Sequence, residues 1–281
     1  MTVEPIRIDA FDDPRVAQFR DIPDPLRLRE RGTFVAEGRL AVRRLLAARR
    51  FTTRALLVTD AALAALADEL TSLDFDLTVL VSSRPLMRQI GGYDFHQGCL
   101  GLAERPEPED PVALLERTGT DRPIVILEDV GNPDNVGGIF RNAAALGAAA
   151  VLLSPGCCDP LYRKSVRTSI GASLHLPFAV VDSWPAGLSA VGDRGFDLVA
   201  LTPDTEAGRL SQYRVPEGRV GVALMLGNEG NGLTPAALDM AHRRARIPIE
   251  PPVDALNVAT AAALALYHVR GLIAPAEPLR I

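Results

Sequence analysis

The stretch IVILEDVGNPDNVGGIFRNAAALG, residues 124–147, decides how this chain is read. It opens on an apolar, β-branched run short enough for a buried strand and passes through Gly131, Asn132 and Pro133. It then continues into small and apolar residues at helical spacing. Strand, turn and helix in that order make the first half of a parallel βαβ unit. The pattern recurs downstream. Apolar runs at 149–154 (AAVLLS), 176–181 (LPFAVV), 197–202 (DLVALT), 221–226 (GVALML) and 245–249 (ARIPI) predict further strands. Helices are expected after most of them, including 234–243 (TPAALDMAHR) and 257–272 (NVATAAALALYHVRGL). Strands this continuously apolar predict a parallel sheet covered on both faces.

Working toward the N-terminus, ERPEPEDP at 104–111 holds three prolines and four acids and cannot sit inside a helix or sheet. It divides the chain into a first domain over 1–105, a linker over 106–120 and a second domain over 121–281. The first domain reads as small mixed α/β. A short strand is expected at 33–36, a helix over 37–49, then strand (55–59), helix (61–70), strand (77–81) and a last apolar strand at 98–103. On the helix over 37–49, Leu40, Val42, Leu45 and Leu46 take near-helical apolar spacing, and Arg39, Arg43 and Arg50 fall on one outward face.

The 281 residues are 47% hydrophobic and 23% charged, the composition of a globular chain with core for two domains. No apolar run approaches the ~18 residues of a membrane helix, and the start MTVEPIRIDAFDDP has no signal-peptide pattern, so a cytoplasmic protein is expected. Cys99, Cys157 and Cys158 are odd in number and two are adjacent, which offers neither a disulfide framework nor a zinc pattern. No metal is expected. A net charge of -5 excludes a uniformly basic nucleic-acid binder, but the charge is unevenly spread. Residues 27–54 hold nine arginines against Glu30 and Glu37, whereas residues 55–120 hold eleven acids against four arginines. A local basic stripe suffices to bind phosphates through counterion release.

Ligands of open parallel sheets bind beyond the carboxyl ends of strands, so three loops carry the chemistry. The first, 128–141, fits neither G-x-G-x-x-G nor G-K-[ST], and within it Asn135 is either a helix N-cap or a functional amide. Arg141 stands among Gly, Ala, Ile and Phe, where a guanidinium calls for an anionic partner or an interface. The second, Leu226-Gly227-Asn228-Glu229-Gly230-Asn231-Gly232, is a tight turn or a ligand cradle, and Glu229 favours the cradle. The third runs from Ile247-Pro248 to Leu256-Asn257, with Asp254 or Asn257 as helix cap.

In this order and spacing the loops resemble the three motifs of the SpoU (TrmH-like) RNA ribose methyltransferases of the SPOUT superfamily, over about 124–273. Asn135-x-Gly137-x-x-x-Arg141 is similar to the first motif, Leu226-Gly227-Asn228-Glu229-Gly230 to the second, and Ile247-Pro248 through Leu256-Asn257 to the third. The first domain is similar to the ribosomal-protein-like RNA-binding domain often found ahead of that catalytic domain, through Phe34-Val35-Ala36-Glu37-Gly38 and His96-Gln97-Gly98. The resemblance implies a SPOUT fold, a parallel sheet with a C-terminal trefoil knot, and a homodimer holding S-adenosylmethionine in the knot loops. It implies a catalytic set of Asn135, Arg141, Glu229 and Asn257, and cofactor contacts at Leu226, Gly227, Ile247 and Leu256. The implied reaction is methylation of a ribose 2′-hydroxyl in structured RNA, ribosomal or transfer RNA, with a lean toward ribosomal RNA.

Such a displacement needs alignment and a proton route but no metal. Arg141, whose pKa lies above ~12, suits phosphate binding and polarisation of the hydroxyl better than general base work. Arg39, Arg43 and Arg50, with Arg163, Lys164 and Arg167, form the candidate RNA track. One departure stands out: the third motif usually places serine before Leu-Asn, and here Ala255 takes that position. Two rival readings are a catalytically silent RNA-binding protein with the same fold and a nucleotide-dependent α/β enzyme acting on small molecules.

Overall fold

Two sheets organise the computed structural model, which describes residues 4–20, 22, 24–93, 95 and 97–273, and each belongs to one of two units. The first unit comprises Met1–Glu107 with Leu161–His175, and the second Pro108–Pro160 with Leu176–Ile281.

In the first unit the elements run β1 (Ile6–Ile8), α1 (Pro25–Glu30), β2 (Thr33–Glu37), α2 (Arg39–Ala47), β3 (Thr53–Val58), α3 (Asp60–Ala65), α4 (Ala67–Thr71), β4 (Thr78–Ser82), α5 (Arg84–Gly91) and β5 (Cys99–Glu104). The strands form a mixed sheet in the order β1-β4-β3-β5-β2, with β5 antiparallel to both β2 and β3. All of β2 is buried. Gly38 breaks away at φ +96 to start α2, whose Ala41, Val42, Leu45 and Leu46 are buried while Leu40 is exposed. The helix expected over 61–70 divides at Leu66 into α3 and α4.

In the second unit the elements are α6 (Pro111–Arg117), β6 (Ile124–Leu127), α7 (Pro133–Ala145), β7 (Ala150–Leu153), β8 (Phe178–Val180), α9 (Ser189–Asp193), β9 (Phe196–Leu201), β10 (Gly208–Arg209), β11 (Gly221–Leu226), α10 (Pro235–Met240), β12 (Arg243–Arg246) and α11 (Val258–Ile273). Between β7 and β8 the chain contributes α8 (Arg163–Thr168) to the first unit. The seven strands are all parallel, in the order β10-β12-β9-β11-β6-β7-β8. Successive strand residues point to opposite faces, and both faces are covered. Val125, Leu127, Val151, Leu153, Val222 and Leu224 pack with α7 and α11. Ile124, Ile126, Ala150, Leu152, Ala223 and Met225 pack with α6, α9 and α10. The close approach of α7 to α11 needs glycine, since a Cβ on Gly138 would stand 3.0 Å from that of Ala259.

Four expectations are corrected. The strand placed at 245–249 is β12, two residues earlier, because Pro248 cannot donate to a ladder. The linker expected over 106–120 contains α6, which Asp110 caps by accepting from the Ala113 amide and which buries Leu114 and Leu115. Residues 161–175, expected within the second domain, pack with the first unit. Arg50 lies beyond the end of α2, so it does not share that helix's face with Arg39.

Candidate active site

β6 and β11 are neighbours where the strand order reverses, with β7 and β8 to one side and β9, β12 and β10 to the other. Such a switch point leaves a crevice at the carboxyl ends of the strands. Register sets Leu127 beside Leu226, so the first two loops leave the sheet side by side. The Glu128 amide donates to the Leu226 carbonyl at 2.9 Å, and the Asn228 amide nitrogen donates to the Asp129 carbonyl at 2.9 Å. Asp129 takes φ +52, an unusual conformation for a non-glycine residue, and Ser154 holds it there. The Ser154 hydroxyl accepts from the Asp129 amide at 2.9 Å and donates to its carboxylate at 2.7 Å.

Asn132, not Asn135, caps α7, accepting from the Asp134 amide at 2.8 Å ahead of Pro133. That frees the side chain of Asn135, which is buried within the first turn. The Asn257 amide nitrogen donates to Asn135 Oδ1 at 2.8 Å, and Asn135 Nδ2 donates in turn to Glu229 Oε1. One directed chain of amides thus joins the three loops. Asn257 serves twice, because its Oδ1 also accepts from the Ala259 and Thr260 amides as the cap of α11. Glu229 is exposed at the loop tip, where a carboxylate oxygen faces solvent. Ala255 is exposed and the amide chain closes without any hydroxyl from it.

Arg141 stands apart from this cluster. It is exposed on α7, with no hydrogen bond or ion pair among the described residues. Leu226 is buried at the end of β11, and Gly227 is pressed against Gly232. Ile247 is half-buried, while Leu256 and Val253 are exposed apolar residues at 36% and 56%. No hydrogen bond within the described chain occupies the backbone amides of Ile247, Ile249 or Leu256. Open backbone groups beside exposed apolar side chains suit an adenine, recognised by its edge and covered on its face, so the donor set fits S-adenosylmethionine.

Sequence reasoning missed Glu128. Only 2% exposed, its carboxylate accepts from Trp184 Nε1 at 2.6 Å, from the Thr234 amide at 2.7 Å and from the Thr234 hydroxyl at 2.8 Å. Thr234 caps α10 directly after the glycine loop, so Glu128 clamps the exit of that loop to β6. The available signal was an acid ending an apolar strand, which has no solvent to face. Glu128→Ala is expected to lower stability by about 1–3 kcal/mol, since the half-buried Trp184 indole loses its acceptor at ~1–3 kcal/mol while the donors of exposed Thr234 can turn to water. Trp184 is the only tryptophan, so urea unfolding followed by its fluorescence reads both that loss and a shifted native emission.

The basic residues divide. Arg43 is tied to Glu69 at 2.6 Å and to the Ala65 carbonyl at 2.5 Å, and Arg163 to buried Glu37 at 2.5 Å, with its guanidinium 4.1 Å from the Tyr93 ring centre. Those two are spent on internal ion pairs that sequence spacing cannot reveal. Arg167 is exposed and 3.7 Å from Glu37, Arg50 lies over the Phe51 ring, Lys164 is half-buried and Arg39 is exposed. His96 lies outside the described residues. A cavity of about 610 Å³ in the first unit is lined by Arg43 but by none of the residues expected to form the catalytic or cofactor set. Cys99 and Cys157 do not offer a nucleophile: burial pushes the Cys99 thiol up to about 12, and also raises that of Cys157, which donates to the Leu127 carbonyl at 3.3 Å.

Known proteins resemble the chain in sequence and in fold. The SpoU rRNA methylase family matches residues 122–267. An uncharacterised tRNA/rRNA methyltransferase of Mycobacterium tuberculosis is 41% identical over 262 residues, 92% of this chain and 88% of that protein. The 23S rRNA (guanosine(2553)-2′-O)-methyltransferase of Bacillus subtilis is 29% identical over 174 residues, 60% of this chain and 68% of its own length. An AdoMet-bound rRNA methyltransferase from Sinorhizobium meliloti shares the fold at TM-score 0.78 and 23% identity, over 95% of this chain and 98% of that one.

Proposed function

We propose, from the premise that the chain belongs to the SpoU rRNA methylase family, that it methylates a ribose 2′-hydroxyl of structured RNA with S-adenosylmethionine as donor. The observation that carries the reading is the amide chain Asn257–Asn135–Glu229, which gathers one polar residue from each of three loops at the switch point. The donor, when bound, supplies an electrophilic methyl group on a sulfonium. The chain's own contribution is alignment and charge. Backbone groups at Gly227, Ile247 and Leu256 would hold the donor, with Leu226 as the floor. The Asn135 amide fixes the Glu229 carboxylate, and Arg141 binds a phosphate beside the target ribose and polarises its hydroxyl.

The same reading includes a trefoil knot, supported by the path of the chain from β12, next to edge strand β10, back to α11 against α7, past β9 and β11. It includes a homodimer, for which Leu264 and Tyr267, exposed on α11, supply apolar surface. The first unit, with Arg39, Arg50, Lys164 and Arg167, serves as the RNA-binding part, and ribosomal RNA is the favoured substrate. A cytoplasmic site of action belongs to the same reading; no helix among the described residues is long and apolar enough to cross a membrane.

Calorimetry with S-adenosylmethionine and single-turnover transfer of labelled methyl to bulk ribosomal and transfer RNA test the reading, and mass-spectrometric mapping of ribose methylation then locates the nucleotide. Donor binding without transfer to either RNA is the result expected of a silent RNA-binding protein. Arg141→Lys keeps a cation for phosphate but loses the planar fork, so RNA affinity within about threefold and turnover reduced at least ~100-fold are expected. Equal turnover in the two proteins refutes the role given to Arg141.

A further inference from the structure

The β10–β12 edge of the second sheet concentrates arginine in a way that the proposed site does not use. β12 reads Arg243-Arg244-Ala245-Arg246, and its pairing with β10 sets Gly208 beside Ala245 and Arg209 beside Arg246. Ala245 packs into the core with α7 and α11. By strand alternation Arg244 and Arg246 point to the opposite face, and registered partners share a face, so Arg209 joins them. Like charges directly opposite one another destabilise a sheet.

Little within the chain offsets that repulsion. Arg243 is matched by buried Asp197 at 3.2 Å, but its neighbours are not matched so closely. Arg244 has Asp239 at 3.8 Å, a carboxylate 80% exposed. Arg246 Nε donates to the Ala207 carbonyl at 3.2 Å, which leaves its charge standing, and Arg209 has neither hydrogen bond nor ion pair among the described residues. Elsewhere in the second unit Arg214 donates to the Ser211 and Tyr213 carbonyls and Arg219 to the Phe196 carbonyl, again neutral acceptors. An edge strand needs charge to deter pairing with other sheets, and the edge strand β10 has it in Arg209. Here the positive charge accumulates on a chain whose net charge is -5.

We infer that the β10–β12 edge is a docking surface for the phosphodiester backbone of the RNA substrate, in addition to the basic residues of the first unit. Guanidinium forks match phosphate oxygens in pairs and stay charged at any working pH. A peptide adding as a strand is a poor occupant, because β10 is two residues long and offers almost no ladder. The inference rests on the reading of the chain as an RNA-modifying enzyme.

The test measures binding of fluorescently labelled bulk ribosomal RNA fragments to full-length protein over a series of salt concentrations. Arg209→Gln with Arg244→Gln removes two charges and spares Arg246, which holds Ala207. The expected result is a log K against log salt slope shallower by about 1.4–1.8, equivalent to roughly 25- to 60-fold weaker binding near 0.1 M salt. Calorimetric affinity for S-adenosylmethionine is expected to stay unchanged. Asp239→Asn removes the nearest carboxylate and is expected to tighten RNA binding two- to fivefold, an outcome that damage to the fold cannot mimic. Unchanged slope and affinity in the double variant, with the unaltered protein binding RNA, overturn this inference alone. Failure of the unaltered protein to bind RNA at low salt overturns the proposed function with it. Equal binding of poly-glutamate, lost in the same variant, assigns the edge to an acidic polypeptide and also overturns it.

Discussion

Gly227→Ala is expected to abolish binding of S-adenosylmethionine, with affinity at least ~100-fold weaker by calorimetry. Gly227 follows β11 directly, and a Cβ there would lie 2.2 Å from the Gly232 carbonyl carbon, 2.3 Å from its oxygen and 2.4 Å from the Leu233 nitrogen. These are backbone atoms and cannot rotate aside. The turn they belong to is closed by an Asn228–Gly232 bridge, with the Gly232 amide donating to the Asn228 carbonyl at 2.8 Å, and by Asn228 Oδ1, which accepts from the Gly230 amide at 2.8 Å. A methyl group can enter only if the turn opens, and opening displaces both the backbone proposed to hold the donor and Glu229. Gly230→Ala is the matched control. Its Cβ meets only Asn228 Oδ1, at 3.3 Å, so donor affinity within a few-fold of the unaltered protein is expected. Retained circular dichroism and retained RNA affinity would show that Gly227→Ala spares the rest of the fold. Equal donor affinity in the two alanine variants would remove the turn from the donor site.

The same turn shows what a sequence can and cannot disclose. Apolar runs located β6, β7, β8, β9 and β11 to within a few residues, because strands buried on both faces must be written in continuous apolar code. Ordered motifs pointed to Asn135, Glu229 and Asn257 as partners, although they lie up to 122 residues apart. Two kinds of fact were illegible. Ion-pair partners across the fold decide whether an arginine is free, and nothing local to Arg43 or Arg163 names Glu69 or Glu37. Chain return is equally hidden: residues 161–175 leave the second unit to pack with the first, and although they are more basic than the sequence on either side, nothing in them names the first unit as their partner. Glu128 belongs to the first kind. Its three donors come from residues 56 and 106 positions away, so an acid that reads as a loop residue is a buried clamp.

Asn135→Ala is expected to lower single-turnover methyl transfer about 1,000-fold while leaving donor affinity within about threefold. Asn135 receives from Asn257 and gives to Glu229, and no other side chain among the described residues performs both tasks. Alanine leaves the Asn257 amide without its acceptor and lets the Glu229 carboxylate turn toward solvent, so the geometry around the ribose is lost though the glycine turn is untouched. Loss of a preorganised hydrogen-bond donor at a reacting centre typically costs ~100- to 1,000-fold, and here one residue fixes two groups. Asn135→Asp separates polarity from donation. It keeps the acceptor for Asn257 but sets a second carboxylate against Glu229, and two such charges in contact oppose joint ionisation. Transfer is therefore expected to be lowest above neutral pH and to recover in part as acidification lets the pair share one proton, whereas Asn135→Ala shows no such recovery. An aspartate variant as active as the unaltered protein at pH 8 would mean that the Asn135–Glu229 bond only braces the loops, and that proton and ribose are handled elsewhere.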